Sequence, residues 1–306
     1  MDISTPVSAS HSDAAARQFR ERGQWSLAAE RFRQHRLAVA GLVVFAALTL
    51  LSALANVVSP YDPEKTNLLL IFEGPSLAHP FGTDSLGRDV ATRILYGGRV
   101  SLLVGISAAL LAISLGTFVG AISGYYRGML DATLMRFVDM VYAFPRLFVL
   151  IIFGVIFGGS IRTVVLGLAL LSWMTTARIV RATFLSLRQR EFVEAARAIG
   201  ARDGRVILGH MLPNTLAPII VAATLGIAAA ILAESTLSFL GLGIQPPVPT
   251  WGNMLKDAPT DMVPAPWLAV FPGLAIFLAV FSINFVGDGL RDALDPRHTV
   301  RVRQGK

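Results

Sequence analysis

The chain contains no cysteine, which excludes disulfides, thiolate metal ligands and cysteine nucleophiles together. It is also poor in charge. Only 15% of its 306 residues are Asp, Glu, Lys or Arg, where soluble domains carry about a quarter. Lysine is nearly missing, with Lys65, Lys256 and Lys306 the three present. A nucleotide-binding P-loop needs Gly-x-x-x-x-Gly-Lys-Ser/Thr to hold phosphates, and only Lys306, the last residue, follows a glycine. The chain cannot hold ATP in that manner, so ATP-driven work would need a separate engine. His11, His35, His79, His210 and His298 are scattered, with no His-x-x-x-His or Glu-neighbour spacing that would hold zinc on a helix. No catalytic residue and no metal site is expected, and the chain reads as a non-enzyme.

What is present is apolar. Hydrophobic residues make up 54% of the chain and the mean hydropathy is +0.60. Six runs have about the 20 residues that cross roughly 30 Å of hydrocarbon: Leu37 to Val58, Val100 to Ile122, Phe137 to Gly158, Thr163 to Leu185, Thr215 to Leu237 and Trp267 to Val286. Nothing alternates polar and apolar as a barrel would. The expected fold is an all-α membrane protein, a six-helix transmembrane bundle. Asp139 and Arg146 near the start of the third run, and Arg178 and Arg181 near the end of the fourth, suit helix ends from which arginine can reach headgroups.

Basic residues decide orientation. With the N-terminus inside, six Lys or Arg fall in the N-terminal tail, two before span three, seven from Arg178 at the end of span four to Arg205, and five at the C-terminus, against six in outside segments. This asymmetry places both termini in the cytoplasm. The net charge of +7 is then topological, and nucleic acid is not a partner. The first 36 residues are polar and the first apolar run is too long for a signal peptide, so it should remain as an anchor.

The chain divides into an N-terminal tail (1–36), a transmembrane domain (37–290) and a C-terminal tail (291–306). From Ala14 to Arg36 aromatics interleave with arginine, as in a helix lying on the inner leaflet or a basic tail that only enforces topology. External segments are expected at 59–99 and 238–266. In the first, Ser85 can cap a short helix running toward Tyr96, with Gly97-Gly98 ending it. The second is dense in Pro and Gly and should be irregular but fixed.

The segment 187–214 is polar and Arg-rich between two apolar runs. Phe192, Ala195, Ala196 and Ile199 recur at three- and four-residue spacing, the pattern of a helix with one apolar stripe. Glu191 and Glu194 sit in its first turns, where carboxylates complement the helix dipole. Gly200 is placed to stop it, and Asp203 to cap a second helix from Gly204 to Leu212, before Pro213-Asn214 leads into the fifth span. Two short rods tied directly to spans four and five would move those spans when pushed. Elsewhere, Gly116-x-x-x-Gly120-x-x-x-Gly124 makes a small-residue face for close helix packing, with Gly105 on nearly the same face. Pro145 can kink span three. Glu234, near the outer end of span five, either lines a path or partners a neighbouring helix.

The run Glu194-Ala195-Ala196-Arg197-Ala198-Ile199-Gly200, continuing through Ala201 to Leu212-Pro213-Asn214, resembles the EAA loop of bacterial ABC-transporter permeases. Further motifs resemble the "C"-type permeases of the dipeptide, oligopeptide and nickel group. They are Gly82-Thr83-Asp84-Ser85-Leu86-Gly87-Arg88-Asp89, Phe239-Leu240-Gly241-Leu242-Gly243, Thr250-Trp251-Gly252 and Leu294-Asp295-Pro296-Arg297. The resemblance implies a type I importer half in a bacterial inner membrane: a heterodimer with a second permease, two ATPase subunits beneath the pair, coupled to this chain through Glu194, Ala195, Ala196, Ile199, Gly200, Ala201, Leu212 and Pro213, and an external substrate-binding protein. ATP and Mg would sit on the partner ATPases, with no cofactor bound by this chain. Peptides or a related solute such as nickel or glutathione would be the cargo. The competing reading is a self-contained secondary transporter, which would show midplane charges and paired repeats. Neither is evident.

Overall fold

The computed structural model describes residues 24–256 and 258–295. The remaining residues, with most of the two tails, lie outside this description. Eleven helices organise the described chain: α1 Gln24–Gln34, α2 Arg36–Ala53, α3 Val90–Tyr126, α4 Gly128–Tyr142, α5 Arg146–Phe157, α6 Ile161–Leu170, α7 Trp173–Leu187, α8 Glu191–Ala198, α9 Leu212–Phe239, α10 Trp251–Met254 and α11 Trp267–Leu294. Shorter helical turns fill the loops, and the one β feature among the described residues is an isolated bridge between Thr83 and Asp89. Five helical stretches are long and apolar enough to cross a membrane. The pair α4–α5, bent by 79°, makes a sixth if counted as one span.

Helix ends follow local chemistry. His35 Nδ1 accepts from the Ala38 amide at 3.1 Å and so caps α2 at its start. Arg99 donates to the Ser52 and Ala53 carbonyls, each at 2.7 Å, and satisfies the other end of α2. The cap of α3 is Asp89, not Ser85: its carboxylate takes the Thr92 amide at 2.7 Å and the Thr92 hydroxyl at 2.6 Å. The helix then runs 37 residues, straight through Gly97-Gly98. Those glycines do not stop it because they serve close approach. A Cβ at Gly98 would lie 2.2 Å from Ser52 Oγ and 2.9 Å from the Trp251 ring.

With no hydrophobic drive between helices in lipid, small residues let backbones touch. Gly116, Gly120 and Gly124 of α3 lie against α7. A Cβ at each would meet Trp173 O at 2.4 Å, Ala177 O at 2.4 Å and Phe184 Cβ at 2.6 Å. Gly105, expected on this seam, faces Ile231 of α9 instead, at 2.5 Å. The face is the same, but a different helix covers it three turns earlier. At the end of the bundle that carries segment 187–214, α1 and α2 dock on α11, with Gly289 against Phe32 of α1 and Ala38 of α2.

The third span starts earlier than its apolar run, at Gly128, so Pro145 breaks it near its middle. The fourth span breaks at Leu171 and Ser172, between α6 and α7. Segment 238–266 is irregular around α10, whose capping box joins Thr250 and Asn253.

Candidate coupling site

In segment 187–214, α8 begins with Glu191 and Glu194 in its first turn. Its stripe is divided between two faces. Val193 and Ala196 are buried against Tyr125, Phe184 and Val206, while Phe192 is 41% and Ile199 86% exposed. The outward line Phe192, Ala195, Ile199 has i, i+3, i+7 spacing. Val193 took the inward place because α8 lies over the end of α3, which the sequence pattern of α8 alone does not contain. Gly200 has φ +80°. Its amide donates to Arg197 O at 2.9 Å, and the Ala201 amide donates to Ala196 O at 3.0 Å. These two bonds form a Schellman stop, which needs a left-handed residue there.

Asp203 does not cap the next helix. Arg202 holds the cap position without a side-chain bond, because Tyr125 of α3 donates its hydroxyl to Asp203 Oδ1 at 2.6 Å. The following turns form no separate rod but join α9 as one stretch from Asp203 to Phe239. Residues Val206–Met211 within it are π-helical. Pro213 accounts for this: in α geometry its ring would strike the carbonyl four residues back, and a wider turn relieves the clash. Asn214 Nδ2 donates to His210 O at 2.6 Å and occupies that carbonyl.

Between α8 and the π turn lies a groove of about 420 Å³, lined by Phe192, Ala195, Ala196, Ile199, Gly200, Ala201, Arg205 and His210. Leu212 packs beneath it with Val206 and Met211, while Pro213 and Glu194 lie exposed. Tyr125 anchors the groove to the bundle. Arg197 stacks 4.9 Å over its ring, and Arg188 Nη1 donates to its carbonyl at 2.8 Å. One layer in, Arg181 grips Asp131 with two bonds of 2.6 and 2.7 Å, and Ser123 also donates to Asp131. Sequence reasoning missed Tyr125. Its signal was an aromatic pair, Tyr125-Tyr126, closing the small-residue face of α3.

Glu234 is remote from this groove and fully buried. Ser238 donates to its Oε1 at 2.8 Å and Ser101 to its Oε2 at 3.0 Å. Ser101 accepts in turn from the Trp251 amide at 3.2 Å, and Ser238 from the Ile244 amide at 3.2 Å. The carboxyl group therefore ties α3, α9 and the 238–254 loop together. Among the described residues no cluster of His, Asp or Glu could hold a metal ion.

Broken and continuous apolar spans packed on a glycine seam together have the form of a multi-pass membrane transport protein. Residues 112–300 match the family model "Binding-protein-dependent transport system inner membrane component", and residues 23–78 match the N-terminal transmembrane domain of oligopeptide transport permease C. The chain is 43% identical to the dipeptide transport system permease protein of Alkalihalophilus pseudofirmus, over 89% of this chain and 90% of that one. It is 42% identical to the oligopeptide transport system permease protein of Haemophilus influenzae, over 92% and 91%. It is 43% identical to the glutathione transport system permease protein of Escherichia coli, over 90% and 91%. An inward-facing MetNI methionine ABC transporter shares the fold, with a TM-score of 0.56 and 18% identity over 66% of this chain and 96% of that chain. The chain belongs to the family of binding-protein-dependent transport permeases. It is a transport subunit of an ABC importer, not an enzyme and not a self-contained secondary transporter.

Proposed function

We propose that the chain pairs with a second, homologous permease to form the path for peptides or a related small solute such as glutathione or a nickel complex. Of two ATPase subunits carrying ATP and Mg, one seats in the 420 Å³ groove of this chain and the other on the second permease, and an external binding protein delivers the solute at the opposite end. Both termini and the groove then face the cytoplasm of the inner membrane, in accord with the arginine distribution. Relatives named for dipeptide, oligopeptide and glutathione transport support the solute class.

The observation that carries this reading is the groove itself: an apolar rim, with Ile199 86% exposed, held by a rigid glycine stop and tied to α3 and α9. In this reading Glu194 and Ala195 meet the ATPase, Gly200 and Ala201 set the turn, and Leu212 and Pro213 pass displacement into α9. Glu234 serves as a structural partner between helices. Co-purification of the ATPase subunits with the permease pair tests the docking role. Glu194→Arg and Gly200→Pro variants should insert normally and lose the ATPases and uptake; full ATPase binding and uptake in both would refute the assignment.

A further inference from the structure

The breaks in spans three and four lie side by side. Between them and helices α3 and α9 opens a second cavity, also about 420 Å³, within the size range of small-molecule sites. Its wall is mostly apolar, from alanines to the larger Tyr142, Phe144 and Met174, with Arg146 its one charged side chain. Arg146 Nη2 donates to Ser172 Oγ at 2.8 Å, and Ser172 donates to Leu168 O at 2.5 Å. The Nε of Arg146 is buried without a hydrogen-bond partner. Among the described residues no carboxylate pairs with it, and the nearby acids are already taken, Asp131 by Arg181 and Asp139 by Arg178.

Arg146 is also the first residue of α5, behind Pro145, with no side-chain cap. The first amides of a helix lack internal acceptors and favour an anion. Arg146 thus brings a guanidinium with no carboxylate partner, and with it the start of α5, to the wall of one largely apolar chamber. A charge held inside a membrane bundle without a partner marks a ligand path, and a carboxylate matches the fork's geometry. The helical turns of α4 and α5 on either side separate this point from both ends of the span.

We propose that this chamber is a station on the path where Arg146 and the start of α5 take the terminal carboxylate of a passing peptide. This rests on the reading of the chain as the permease of a peptide-class importer. Apart from Arg146 the chamber carries no charge to select a peptide's side chains, so the carboxylate, common to all peptides, is the group recognised.

The test uses the complete importer in proteoliposomes, with its binding protein unaltered. The probes are alanine di- to pentapeptides as free acids and the same pool with C-terminal amides. Arg146→Gln should lower acid uptake about tenfold, the scale of a charge-assisted hydrogen bond, and leave amide uptake unchanged. Arg146→Lys, which keeps the charge and loses the fork, should lower the acid-to-amide ratio by about threefold, and decides the matter if the glutamine variant fails to assemble. The binding protein's own preference cancels between variants. Equal loss for both pools, or no change in the ratio, overturns the proposal. So does a difference present in phosphatidylglycerol vesicles and absent in phosphatidylcholine alone, since the anion is then a lipid phosphate. A wild-type importer that takes up neither pool would instead defeat the peptide reading beneath it, and this proposal with it.

Discussion

A buried carboxyl group is costly unless every oxygen is engaged, and Glu234 has two serine donors on two helices. Truncation would leave Ser101 and Ser238 with unmatched hydroxyls in a dry setting. Glu234→Ala should therefore destabilise the detergent-purified protein by about 2–4 kcal/mol, while Glu234→Gln, which keeps the shape and an acceptor, should cost about 1 kcal/mol or less. Thermal unfolding of the three proteins measures this. An alanine variant as stable as wild type, yet altered in uptake, would move Glu234 from the scaffold to the path. At this scale much was legible. Gly200 announced its left-handed turn because a Schellman stop is local, and the α3 glycines announced a seam because their four-residue spacing is a property of one helix. The roles of Asp203 and Gly97-Gly98 were hidden, since Tyr125, Ser52 and Trp251 decide them from far along the chain.

Among the elements, the joint between α3 and segment 187–214 carries the next prediction. Tyr125 holds Asp203 through its hydroxyl and Arg197 through its ring, so Tyr125→Phe removes the first and keeps the second. The loss should be about 1 kcal/mol of stability, with ATPase subunits still co-purifying and uptake reduced several-fold. Unchanged uptake and unchanged stimulated ATP hydrolysis would show that the joint carries no motion. The break in span three was only half legible. Pro145 marks it, but hydropathy alone discards Gly128 to Arg136, where polar and apolar residues mix, and so put the proline at the start. The amphipathic α4 buries one residue, Val138, packed among Ala112 and Trp173, while Met129, Phe137 and Met140 stay exposed, and no window average along the chain registers that contact.

For the whole molecule, the absence of cysteine becomes an experimental convenience, because any introduced thiol is alone. Leu77 and Ile199 are both well exposed, at opposite ends of the bundle. Leu77→Cys in intact cells should react with a membrane-impermeant maleimide, and Ile199→Cys only after permeabilisation. The reverse pattern would invert the topology and remove the groove from reach of any cytoplasmic ATPase.

One element touches both of those ends. Helix α3 continues for 37 residues, about 55 Å at 1.5 Å per residue, from the His79–Asp89 contact to the tyrosine that grips Asp203. Such a rod cannot shorten or bend locally without breaking its ladder, so a tilt at one membrane face is felt at once at the other. The two ends of the bundle are thereby geared to a common shaft, and neither can change its angle privately.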